Sequence, residues 1–164
     1  MSLIEKELIN ILNKYSKDIY NNLIPIPIDS ELSINENVES VSGVYWIETT
    51  MPINIMKESI EKIIEKPKRI RVNPPINTTI IKQNNNSFYV VYSGTEQNIN
   101  SRLKAHLFNM GHKGTGKLGC IINTVPFNKY QWQIKFKQID DITLRYAVES
   151  WWRLNIGWPS FCLR

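Results

Sequence analysis

The sequence predicts an α+β fold in one domain, and three observations predict it. Its 164 residues suit a single domain that buries roughly two thirds of its unfolded surface. Strand-like runs with alternating faces at 42–47, 88–92 and 131–139 are interleaved with amphipathic helical runs at 3–23, 54–65, 98–110 and 142–156. Between Tyr92 and Met110 one stretch joins a strand end, a polar turn and a helix with both ends marked.

Taken in order, Leu3 to Leu23 is expected to be helical, with Leu8, Ile11, Leu12, Tyr15 and Ile19 on one side, until Pro25-Ile26-Pro27 ends it. Residues 24–40, rich in Ser, Asn and Glu, predict a loop ordered by docking. In the strand Ser42 to Ile47, Tyr45 and Ile47 share one face and Val44 and Trp46 the other. A helix from about Asn54 to Glu65 follows, carrying Ile55, Ile60, Ile63 and Ile64 and stopped before Pro67. Arg69 to Val72 and Thr78 to Lys82 are extended. Asn84-Asn85-Asn86 is a turn signal, so 78–92 predicts a hairpin.

Asn98 can cap the helix that carries Ile99, Leu103, Leu107 and Met110, and Gly111 suits the position past its end. Arg102 and His106, four apart, stand on one side of it. A permanent cation beside a group that titrates near neutrality suits a phosphate site. The same spacing also fits a buried arginine stem and a core-boundary histidine. Gly111 to Lys117 matches glycine, four residues, Gly-Lys, but a helix precedes it and Leu118 stands where a P-loop needs a hydroxyl. A basic loop touching nucleic-acid phosphates is the better reading. In the strand Gln131 to Ile139, Trp132, Ile134 and Phe136 oppose Lys135 and Lys137. The last helix, capped at Asp140-Asp141, is expected to bury Leu144, Ala147, Val148, Trp151, Leu154 and Asn155. Arg145, Glu149 and Arg153 form a ladder on another side, either a surface ion-pair row or a metal carboxylate flanked by phosphate-seeking guanidiniums.

Residues 1–66 hold 6 Lys/Arg against 11 Asp/Glu, whereas residues 67–164 hold 14 against 4. The basic half also carries Tyr130, Trp132, Trp151, Trp152 and Trp158, which points to a polyanion and first to nucleic acid. Cys120 and Cys162 lack metal-ligand spacing and read as free thiols. Glu5, Lys6 and Glu7 break any leader-like apolar run, and no apolar stretch is long enough for a bilayer. The expectation is a soluble cytoplasmic protein with no membrane partner.

Together these pieces resemble the GIY-YIG nuclease family. Gly43-Val44-Tyr45 is similar to its first signature and Tyr92-Ser93-Gly94 to its second; Arg102, His106 and Glu149 stand on the matching helices. The resemblance covers about 41–160. It implies a small central antiparallel sheet flanked by helices, with residues 1–40 packing on a core at 41–164 that carries an insertion at about 52–82. It also implies hydrolysis of DNA phosphodiesters with one Mg²⁺ or Mn²⁺ ion. In that reading Glu149 holds the metal, Tyr45 is the general base, Arg102 stabilises the pentavalent phosphate, and His106 and Tyr92 position water or assist proton transfer. Lys104, Lys113, Lys117, Arg145 and Arg153 are the expected contacts to the DNA backbone.

Three departures stand out. An insertion separates the two signatures, Val44 and Ser93 replace the signature isoleucines, and no tail asparagine is offered by Trp158 to Cys162. A restriction-type enzyme is one expectation, with a homodimer as an assembly able to cut both strands. A nucleic-acid-binding module with impaired catalysis on the same scaffold is the alternative, motivated by the missing asparagine.

Overall fold

In a computed structural model the described residues are 1–63, 79–81, 88–111 and 116–162. The fold is α+β. Helices α1 (Leu3–Asn22), α2 (Glu31–Asn37), α3 (Ile53–Glu61), α4 (Ile99–Leu107) and α5 (Ile142–Asn155) surround strands β1 (Ile26–Pro27), β2 (Gly43–Thr49), β3 (Tyr89–Glu96) and β4 (Trp132–Gln138). The four strands pair antiparallel in the order β1-β4-β2-β3. Among the described residues β3 is therefore an edge.

Because side chains alternate along a strand, β2 feeds two cores. Tyr45 and Ile47 join Ile99, Leu103 and Leu107 of α4 with Met56 of α3. Val44 and Trp46 join Ile19 of α1 with Val148 and Trp152 of α5. Every residue of β2 is buried. Gly43 is needed where it stands, since a Cβ there would lie 2.1 Å from the Lys137 carbonyl oxygen and 2.8 Å from Ile99 Cδ1. The register puts Tyr45 opposite Gly94 and Ile47 opposite Tyr92, with an irregularity between Ile47 and Glu48.

Several expectations change. The predicted loop 24–40 contains β1, paired with β4, and α2, which Ser30 caps by accepting from Ser33 N–H. A seven-residue helix carrying one buried residue, Ile34, leaves too little periodicity to see. The helix after Asn98 ends at Leu107, because Phe108 turns out to bridge Ile121. The hairpin expected at 78–92 is not formed by Ile80, which bridges Trp158; residues 82–87 lie outside the described residues, as do Arg69 to Val72. In α5 the buried residues are Arg145, Val148 and Trp152, while Leu154 is 71% exposed and Asn155 is exposed. Asp141 caps this helix as expected. On α1 the body covers Ser16 and Ile19, but Leu8 and Ile11 are exposed. Both cysteines are free and buried. No helix among the described residues is long and apolar enough to cross a membrane.

Candidate functional site

Helices α4 and α5 pack on opposite faces of the sheet, yet their polar side chains meet at the edge of β3 away from β2. A cleft of about 510 Å³ is lined there by Tyr45, Tyr92, Arg102, Glu149 and Arg153, with Gly94, Thr95, Tyr146 and Trp158 among its walls. Gly94 makes the meeting possible: a Cβ at that position would lie 2.7 Å from Tyr45 Oη and 3.0 Å from Cζ. The Tyr45 ring thus crosses β3 where the strand has no side chain. From the other face, α5 reaches around the same edge.

His106 stands behind the cleft, fully buried. Leu118 N–H donates to its Nδ1 at 3.0 Å, so that nitrogen holds no proton. Burial, with the Arg102 and Lys117 charges adding to it, pushes the imidazole well below its usual pKa and keeps it neutral. The single ring proton is then on Nε2, 3.0 Å from Tyr45 Oη, and the tyrosine oxygen is the acceptor. Tyr92 lies against the same imidazole, ring centroids 4.2 Å apart, and stacks on Tyr45 at 6.2 Å.

The Arg102 guanidinium lies beside both phenols in the cleft, and its charge favours the ionised form of each. It also donates to the Gly116 carbonyl at 2.6 Å and lies 3.7 Å from the Glu96 carboxylate. Burial raises the Tyr45 phenol well above its usual pKa, reinforced by Tyr92 and opposed by Arg102. Tyr92 is also raised, first by burial.

Glu149 pairs with Arg153, and Thr95 lines the cleft beside it. Burial raises its carboxyl above the usual range, with both neighbours offsetting part of that rise. Arg153 in turn donates from Nε to Ser93 Oγ at 3.1 Å and from a terminal nitrogen to Ser93 O at 2.5 Å, and it also reaches Cys162 Sγ at 3.4 Å. The tail that offers no asparagine therefore brings a thiol to this corner, and Phe161 N–H donates to Val91 O on the β3 edge.

Two expected phosphate contacts face inward instead. Lys117 is 6% exposed and donates to the Asn109 and Met110 carbonyls, satisfying acceptors just past the end of α4. Arg145 is 4% exposed and donates to Glu96 O, tying α5 to the end of β3. Arg153 holds β3 through Ser93 as described, although it lines the cleft. Lys104 is part-exposed in the last turn of α4, and Lys113 lies outside the described residues. No helix follows Lys117, so the glycine-lysine pattern lacks the P-loop's structural context.

Among the described residues no three His, Cys, Asp or Glu side chains gather as a ready metal cage. A hard cation such as Mg²⁺ does not require one, since it retains waters and takes one or two carboxylates plus substrate phosphate oxygens. Glu149 on the cleft wall offers one carboxylate to that donor set, and a bound cation would compete with Arg153 for it. Missing from the sequence reading were the Leu118 amide that fixes the imidazole tautomer, Thr95 beside Glu149 in the cleft, and the Ser93–Cys162 grip on Arg153. Ser93 and Thr95 carried a signal, standing within three residues of Tyr92 in the sequence. Comparisons with protein-family models, with curated proteins and with solved structures find no significant match to this chain.

Proposed function

We propose that this protein is a metal-dependent DNA endonuclease of the GIY-YIG type. The observation that carries the reading is the convergence of Tyr45, Tyr92, Arg102 and Glu149 on one cleft at the edge of β3. Glu149 would hold one Mg²⁺ or Mn²⁺ ion. When bound, that ion supplies positive charge that withdraws electrons from phosphorus and favours an ionised Tyr45.

The chain's own groups supply the rest. His106 donates to Tyr45 Oη, and the Arg102 charge stands beside it, so a donor and a cation favour the phenolate against its burial. Tyr45 then takes a proton from the attacking water. One P–O bond forms to that water's oxygen and another breaks to a sugar oxygen, which takes a proton from solvent as it leaves. Arg102 spreads its charge over the pentavalent phosphate. The basic segment from residue 67 onward would bind the DNA backbone, with affinity falling steeply as salt rises.

A binding module with impaired catalysis is the second reading, favoured by the strongly raised Tyr45 phenol. Magnesium-dependent incision of duplex DNA separates the two. The nuclease reading expects incision to fall at least about 100-fold in Arg102→Ala while salt-sensitive DNA binding survives. Binding without incision by the wild type favours the module, and salt-independent binding or none counts against both.

A further inference from the structure

The N-terminal helix carries apolar residues that the described part of the molecule does not cover. Its inner side, Leu12, Asn13, Ser16, Ile19 and Tyr20, is buried or partly buried, and the Trp151 indole N–H donates to Asn13 from α5. Beside that contact runs a second stripe, Ile4, Leu8, Ile11 and Tyr15. Ile4 is 76%, Leu8 65%, Ile11 66% and Tyr15 36% exposed. The stripe's steps of four, three and four residues are those of a two-helix seam. All residues from Met1 to Ile11 are exposed, so the first turns of α1 stand clear of the body. A projecting helix of that length is marginal in water without a partner, and a contiguous exposed apolar surface marks an interaction site.

The charges beside the stripe indicate what covers it. If two copies of α1 run antiparallel with Leu8 of one opposite Ile11 of the other, Ile4 falls opposite Tyr15. Glu7, flanking the seam, then meets Lys14 of the second copy, and two-fold symmetry repeats the pair. Asp18 ends the stripe and falls against the first turn of the other helix, where the helix dipole favours a carboxylate. A parallel arrangement would instead set Glu7 against Leu12 and Lys14 against Ile19, with no charge pair. We propose that α1 is a homodimerisation helix, pairing antiparallel with α1 of a second copy of this chain through Ile4, Leu8, Ile11 and Tyr15. The contact is isologous, so it closes as a dimer and does not propagate. It is independent of the chemistry proposed for the cleft.

Sedimentation velocity over a concentration series of the full chain tests this, with circular dichroism to verify that each variant keeps its helices. The wild type is expected to pass from monomer to dimer as concentration rises, and Leu8→Glu to remain monomeric. Glu7→Lys and Lys14→Glu are each expected to dimerise at least tenfold more weakly alone, while an equimolar mixture of the two recovers the dimer. A wild type that stays monomeric overturns the proposal and assigns the stripe to a different partner. Dimerisation unaffected by Leu8→Glu overturns it too, and failure of the mixture to recover rules out the antiparallel pairing.

Discussion

Tyr45 accepts a hydrogen bond from His106, and the backbone sets that direction. The Leu118 amide occupies Nδ1, leaving the proton of the neutral imidazole on Nε2, 3.0 Å from the phenol oxygen. A histidine held this way cannot deprotonate the tyrosine. It stabilises the oxygen once the proton has gone, a supporting role that Arg102 shares from the cleft side.

Tyr45→Phe is expected to lower the rate of DNA incision by about 10²- to 10⁴-fold, the usual contribution of a positioned general base. It also leaves the buried His106 Nε2–H without its partner, at about 1–3 kcal/mol of stability. Single-turnover cleavage and denaturant unfolding measure the two effects separately. A variant that loses stability but cuts at the wild-type rate would remove Tyr45 from the chemistry.

Protonation of His106 should couple to folding. Burial and the neighbouring cations hold its pKa in the folded protein well below 6.5, while the unfolded chain binds a proton there at about 6.5. Below that pH the unfolded state takes up more protons, so stability falls as pH falls, by up to about 1.4 kcal/mol per pH unit. Unfolding free energy measured at several pH values between 7 and 5, compared with His106→Gln, should show a component of this slope that the variant lacks. Equal slopes would mean that His106 is already protonated in the native state.

Gly94 is predicted to matter for geometry. In Gly94→Ala the new methyl would meet Tyr45 Oη and Cζ at 2.7 and 3.0 Å, so the ring must move or β3 must bend away. Incision should drop by about 100-fold, the effect of displacing a reacting group by about an ångström, with about 1–3 kcal/mol lost to overpacking. Full activity in this variant would show that the ring need not lie across the strand.

The parts of the fold legible in the sequence are those set by backbone period. Alternation along Ser42 to Ile47 separated Tyr45 and Ile47 from Val44 and Trp46, and the two cores divide that way. Four-residue steps put Arg102 beside His106 and Glu149 beside Arg153. What pattern could not supply was context. Lys117 stands in a glycine-rich stretch, as a phosphate-binding lysine would, but it donates to the carbonyls past α4. Hydropathy assigned Leu154 to the core and Arg145 to the surface. The helix lies across an edge strand instead, with Arg145 spanning to Glu96 and Leu154 left on the cleft wall. The meeting of α4 and α5 at that edge depends on strand order, which local spacing does not encode.

The most direct test of the nuclease account is incubation of supercoiled plasmid with the wild type and with Glu149→Ala, each with and without magnesium. Glu149 caps no helix, and Arg153 keeps its hydrogen bonds to Ser93 when the Glu149 partner is lost, so the variant is expected to be less stable but folded, which circular dichroism verifies before the assay. The account predicts relaxed and linear plasmid only with wild type plus magnesium, and none above background with the variant. Equal cutting by both proteins, or by the wild type without any divalent ion, would contradict the role given to Glu149 at the centre of the proposed site.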